Sequence, residues 1–102
     1  MSKITEIFIL KMKEGTEVDA IRETARADFV ALDGVTSWET LVTTDQSRQT
    51  LYADIFTFPD HETAKRVTPQ FAKRPATKAF LAQIEEIVVG QFFVAHQSKA
   101  SE

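Results

Sequence analysis

Tyr52 and Asp54 stand two apart in the run TLYADIFTF, a spacing that puts a phenol and a carboxylate on one face of a β-strand. Phe56 and Phe58 continue that face. A carboxylate desolvated among such rings would have a raised pKa, as a general base working near neutral pH requires, whereas one paired with a nearby Lys or Arg would be structural. His61 follows at the start of a predicted helix, where an imidazole at a cavity mouth could exchange protons. A solvated surface histidine is the plainer reading. Trp38, the only tryptophan, is either a wall for a bound aromatic or a large core side chain whose N–H needs a partner. Arg74, beside Pro75, would neutralise an anionic ligand or stay hydrated.

Other chemistries lack their residues. Cysteine is absent, which removes disulfides, thiolate metal sites and thiol nucleophiles, and fits a reducing cytoplasm. The two histidines, His61 and His96, are far apart and neither begins an HxH, HxxxH or carboxylate–histidine cluster, so no metal is expected. The three glycines stand alone at 15, 34 and 90, giving no phosphate-binding loop, and no nucleotide cofactor is expected either.

The elements that must position these residues follow from hydrophobic period. ITEIFILKM places Ile4, Phe8, Leu10 and Met12 on one face of a strand and Ile7 and Ile9 on the other. Val18, Ile21, Ala25, Phe29 and Leu32 then recur at helical spacing, with Thr16 as the expected N-cap and Asp33-Gly34 as the stop. VTSWETLVT (residues 35–43) and TLYADIFTF (50–58) read as a hairpin across the polar loop TDQSRQ. Asp60 caps a helical limb over 60–84 that Pro69 and Pro75 break twice. IVVGQFFV (87–94) is the last strand, with Gly90 marking a bulge or a close approach. Residues 1–96 form one domain, and the small polar tail 97–102 is expected to be disordered.

At 102 residues with 43% apolar content, the chain can bury a single core without staples. A net charge of −3 argues against a nucleic-acid partner. The apolar run Ile7–Leu10 is too short for a signal peptide, no stretch is long enough to span a membrane, and a cytoplasmic location is expected.

The strand and helix order is βαββαβ, an α+β ferredoxin-like arrangement of a four-stranded antiparallel sheet with two helices on one face. Two helices cover one face only, yet every strand offers apolar residues to both. The uncovered face therefore calls for a partner, and a homodimer packed sheet to sheet supplies it.

The turn and strand DGVTSWE, the junction IFTFPDHETA and the segment RPATKAFLAQI resemble the antibiotic biosynthesis monooxygenase domain of the dimeric α+β barrel superfamily, over about residues 3–95. Phe58 stands where many members carry Trp, and the limb after Asp60 is longer than usual. The resemblance implies a cofactor-independent monooxygenase acting on a small aromatic or quinol-type substrate between sheet and helices. Asp54 or His61 would take the substrate proton, and Trp38, Tyr52, Phe56 and Arg74 would hold the molecule. A non-catalytic protein binding an apolar metabolite, or a structural or stress-related dimer with a self-filled cavity, fits the same fold. The haem-degrading branch, which uses Asn, Trp and His together, is disfavoured because the chain has no asparagine. A cavity on the order of 300 Å³ or more between sheet and helices would favour a ligand.

Overall fold

Alternation on the strands and helical spacing between them produce one sheet with its helices on one side. In the computed structural model, which describes residues 3–96, the strands are β1 (Ile4–Met12), β2 (Ser37–Val42), β3 (Tyr52–Phe58) and β4 (Ile84–Phe93), in the order β2-β3-β1-β4 with antiparallel neighbours. The expected tail 97–102 lies outside the described residues. Helix α1 (Val18–Phe29) fills the first crossover. The second contains α2 (His61–Val67), a 3₁₀ turn (Thr68–Ala72) and α3 (Pro75–Leu81), so the limb is indeed broken twice, and three helices rather than two lie over the sheet.

Register decides which face each residue takes. Ile4, Phe8 and Leu10 pair with Phe58, Asp54 and Tyr52, and Trp38 pairs with Phe56, all on the helix side. There Phe29, Trp38, Phe56, Phe58 and Phe80 form a buried aromatic core. Phe29 meets Trp38, Phe56 and Phe71 edge-on, with centroids 6.3, 5.6 and 4.9 Å apart, each pair adding about 0.5–1.5 kcal/mol beyond its buried area. The opposite face carries Ile7, Ile9, Leu41, Ile55, Val89 and Phe93, and among the described residues no helix lies over it. Leu41 is 57% exposed and Phe93 42%.

Several boundaries differ from expectation. Thr16 does not cap α1; its hydroxyl donates to the Lys13 carbonyl (2.7 Å), and Glu17 takes the N-cap position without a side-chain hydrogen bond. The helix stops at Phe29 rather than at Gly34, since Leu32 N–H turns back to the Phe29 carbonyl and Val35 N–H to that of Leu32. Gly34, at φ +103°, completes this turn against α2. Asp60 does cap α2, accepting from Thr63 N–H at 2.8 Å. Strand β4 begins at Ile84 rather than Ile87, because Ile84 pairs with Met12 and Glu85 is held to Lys11 at 2.7 Å, which outweighs the polar pattern of Glu85-Glu86.

The β1–β4 pairing shifts register between Ile9 and Leu10, opposite Val89 and Ile87, so Val88 is an extra residue in a bulge. Gly90 lies directly across from Phe8, and a Cβ there would come within 2.9 Å of the Phe8 ring. Close approach therefore explains this glycine. Gly90→Ala is expected to cost about 1–3 kcal/mol through displacement of Phe8, measured by urea unfolding of both forms; equal midpoints would show that Phe8 has free room.

Candidate functional site

Asp54 is 1% exposed and sits mid-strand among aromatic rings, so its charge has to be answered locally. Arg22, on the inward face of α1, answers it. Its Nε donates to Oδ1 at 3.0 Å and its Nη2 to Oδ2 at 3.2 Å, a two-point ion pair. Trp38 Nε1 (2.8 Å) and Thr40 Oγ1 (3.0 Å) donate to Oδ1 as well. The guanidinium lies over the rings of Tyr52 and Phe80, 4.7 and 5.1 Å from their centroids. With four hydrogen bonds on its two oxygens, Asp54 is arranged to hold α1, β2 and β3 together.

Beside this network lies a cavity of about 220 Å³ between the sheet, α1 and the broken limb. Its walls are Phe8, Leu10 and Phe56 from the sheet, Phe29 from α1, Phe71 from the 3₁₀ turn and Phe80 from α3. Ile84 and Ile87 of β4 also border it. The volume falls short of the roughly 300 Å³ anticipated, because Phe71 and Phe80 fill part of the space under the limb, and it restricts an occupant to a small molecule.

Half-buried Glu6 borders this apolar space. It lies on the helix side of β1, paired with Phe56 on one flank and Phe92 on the other. Among the described residues no hydrogen bond or ion pair reaches its side chain. Burial without a counter-charge pushes the carboxyl up from 4.5 to about 7. Glu6 and Asp54 are diagonal neighbours on one sheet face, since Phe8 pairs with Asp54 and Glu6 with Phe56. One has a full set of partners and the other has none.

Glu6 is not among the residues that the sequence singles out. The available signal was its register, a single carboxylate within the inward-facing set Ile4, Phe8, Leu10 and Met12. Of the residues that the sequence singled out, Phe56 and Asp54 line the cavity. Trp38 is fully buried behind it, and Tyr52 borders an open groove between α1 and β2. His61 is exposed at the first position of α2, its ring edge-on to Phe92 with centroids 5.4 Å apart. Arg74 lies outside the cavity lining and grips Asp28 of α1 through Nε (2.6 Å) and Nη2 (2.8 Å), which holds the Asp28 carboxyl below its ordinary value. Among the described residues no cluster of His, Asp or Glu is placed to ligate a metal ion, and no helix is long and apolar enough to cross a membrane.

No protein-family model and no curated protein matches the chain. Among solved structures it is similar to SnoaB, a cofactor-independent oxygenase from Streptomyces nogalater, with a TM-score of 0.72 and 17% identity over 97% of this chain and 98% of that one. It is similar to a dimeric protein of unknown function and ferredoxin-like fold from Bacteroides fragilis (TM-score 0.64, 12% identity, 93% and 98% covered). The chain has the ferredoxin-like fold. The hydroxynitrile lyase of Passiflora edulis is similar too (TM-score 0.67, 15% identity, 95% and 96% covered), so this fold carries more than one chemistry and the site has to decide.

The raised Glu6 pKa has a consequence for stability. An acid whose folded pKa lies above its unfolded value binds more protons when folded, so stability falls as pH rises from about 4.5 to about 7 and stays lowered above that. Glu6→Gln removes the charge and with it this loss. The variant should gain on wild type across that window, by about 1–2 kcal/mol at pH 8 after allowance for solvent screening. Denaturant melts at pH 5 and pH 8 measure the difference; a pH-independent gap would mean that Glu6 titrates as a solvated carboxylate.

Proposed function

We propose that this protein is a homodimeric, cofactor-independent oxygenase of a small, uncharged phenolic aromatic, with Glu6 as the base. The observation that carries this reading is a half-buried carboxyl without a counter-charge among the described residues, poised near neutrality at the wall of an apolar cavity of small-molecule size. Glu6 and Asp54 are the charged residues among the lining, and the nearby cations Arg22 and Arg74 are committed to Asp54 and Asp28, so nothing favours an anionic substrate. The similarity in fold to a cofactor-independent oxygenase supports the reaction type.

The Glu6 carboxylate takes the phenolic proton as the substrate ring lies against the edge-to-face pair Phe8 and Phe56. The phenolate is electron-rich enough to reduce dioxygen, and a C–O bond forms at the ring carbon para to the oxygen. The peroxide takes the proton back from Glu6. Loss of water then breaks the O–O and C–H bonds, leaving one oxygen atom in a quinone and the other in water. Asp54 holds Trp38 and α1 behind the cavity. His61 packs on Phe92, the strand neighbour of Glu6, outside the cavity lining.

Oxygen uptake with 1-naphthol and other phenols that carry a hydrogen at the para carbon tests the assignment. Glu6→Gln is expected to lower kcat by about 10²–10⁴-fold, the usual contribution of a positioned base, and His61→Ala by much less. Wild-type uptake that Glu6→Gln leaves unchanged would remove the base. Ligand binding without any oxygen uptake would favour a binding protein over an enzyme.

The bare sheet face supports the dimer. Ile7 and Ile55 are paired at its centre, with Leu41 and Phe93 towards the two edges, an area that water penalises at about 25 cal/mol per Å². A second copy brought face to face covers it, and the Bacteroides fragilis protein of this fold is dimeric. Sedimentation velocity at micromolar concentration should give a dimer for wild type and a monomer for Ile7→Asp. A monomeric wild type would exclude this mode of assembly.

A further inference from the structure

We propose that Phe71 sets the largest ring system the cavity admits, and that Thr77 is the positioning residue that holds it there. The inference rests on the cavity being a ligand site. Most of the wall belongs to regular elements, β1, β3, α1 and α3, whose backbones are fixed by sheet ladders or helical hydrogen bonds. Phe71 belongs to the five-residue 3₁₀ turn, in which no residue is fully buried. Such turns have poorer hydrogen-bond geometry than α-helix and open at lower cost.

The Phe71 ring stands between the cavity and the packed core. One side of it lines the cavity, and its centroid is 5.6 Å from that of Trp38, which the cavity does not reach. Phe29, Phe56 and Phe80 surround it at 4.9, 5.6 and 6.2 Å. Phe29, Phe56 and Phe80 also stand between the cavity and Trp38, but each belongs to a regular strand or helix, so removing the Phe71 ring enlarges the cavity at its one aromatic wall held on an irregular turn.

Thr77 fixes that ring from α3. It is fully buried, and its hydroxyl donates to the Phe71 carbonyl, with the Arg74 carbonyl a longer second acceptor at 3.3 Å. Lys73 and Arg74 N–H both return to the Gln70 carbonyl at 3.0 Å, which leaves the Phe71 carbonyl to Thr77. Thr77→Val keeps the shape and removes the donor.

The test uses two neutral phenols, a two-ring naphthol and a three-ring anthrol, with binding read by calorimetry and by the fluorescence of Trp38. Wild type should favour the naphthol. Phe71→Ala should reverse the order, shifting the ratio of the two affinities by about tenfold or more, and Thr77→Val should move it the same way by less. Phe71→Leu serves if the alanine variant fails to fold. A purely structural role would lower the melting temperature and leave the size ranking unchanged, so an unchanged ranking in Phe71→Leu and Thr77→Val overturns the proposal. If no variant binds either phenol, the ligand-site reading fails and takes this inference with it; if wild type binds the naphthol, the ligand-site reading stands whatever the ranking shows.

Discussion

Burying Asp54 in an aromatic core is the constraint around which the rest of the molecule is arranged. An unpaired charge there would cost several kcal/mol, so the fold must deliver a cation and enough donors to the same point. Arg22 comes from α1, Trp38 and Thr40 come from β2, and Asp54 itself belongs to β3. The network thus sets the helix against two strands at once and turns the indole so that its N–H points inward. Tyr52 and Phe80 then close on the guanidinium, which ties in α3. Replacing such a network by apolar side chains can be neutral for stability, so its value lies in fixing one arrangement of the elements.

That arrangement gives two carboxyls on one sheet face opposite environments. The partnered one ties elements together, and the one without a counter-charge holds its proton to a higher pH. Asp54 takes up the nearby cation, and Glu6 gains its unusual affinity for a proton because nothing comparable reaches it. The broken limb completes the contrast. Pro69 and Pro75 interrupt the helix, and the turn between α2 and α3 drops Phe71 over the sheet as the cavity's third side.

The fold was legible because its signals are local. Alternation in ITEIFILKM and TLYADIFTF, the Asp60 cap and the proline breaks each require only a few adjacent residues, and each marks an element that forms. Boundaries were less so. The start of β4 depends on Lys11 meeting Glu85, and the end of α1 on a turn that packs Gly34 against α2, both contacts between distant segments. The site was the least legible part. Asp54 could be recognised as a buried acid, but not that Arg22, 32 positions away, would answer it. Glu6 was overlooked for the opposite reason. It has no partner to look for, and only its register within an apolar face sets it apart.

The two faces of the sheet are coupled through the same period of two. Glu6 points to the cavity and Ile7, its neighbour, to the bare face; Phe56 lines the cavity and Ile55 lies on the other side. A dimer formed through Ile7 and Ile55 would therefore clamp the two strand segments that carry Glu6 and the cavity floor. Strands held on both faces move little, so the adjustable side of the cavity is the helical limb opposite, where the backbone is irregular and held at Phe71 by a single side chain. A rigid floor bearing the carboxyl and a more yielding roof bearing an aromatic ring follow directly from a sheet that is apolar on both sides with helices enough to cover only one.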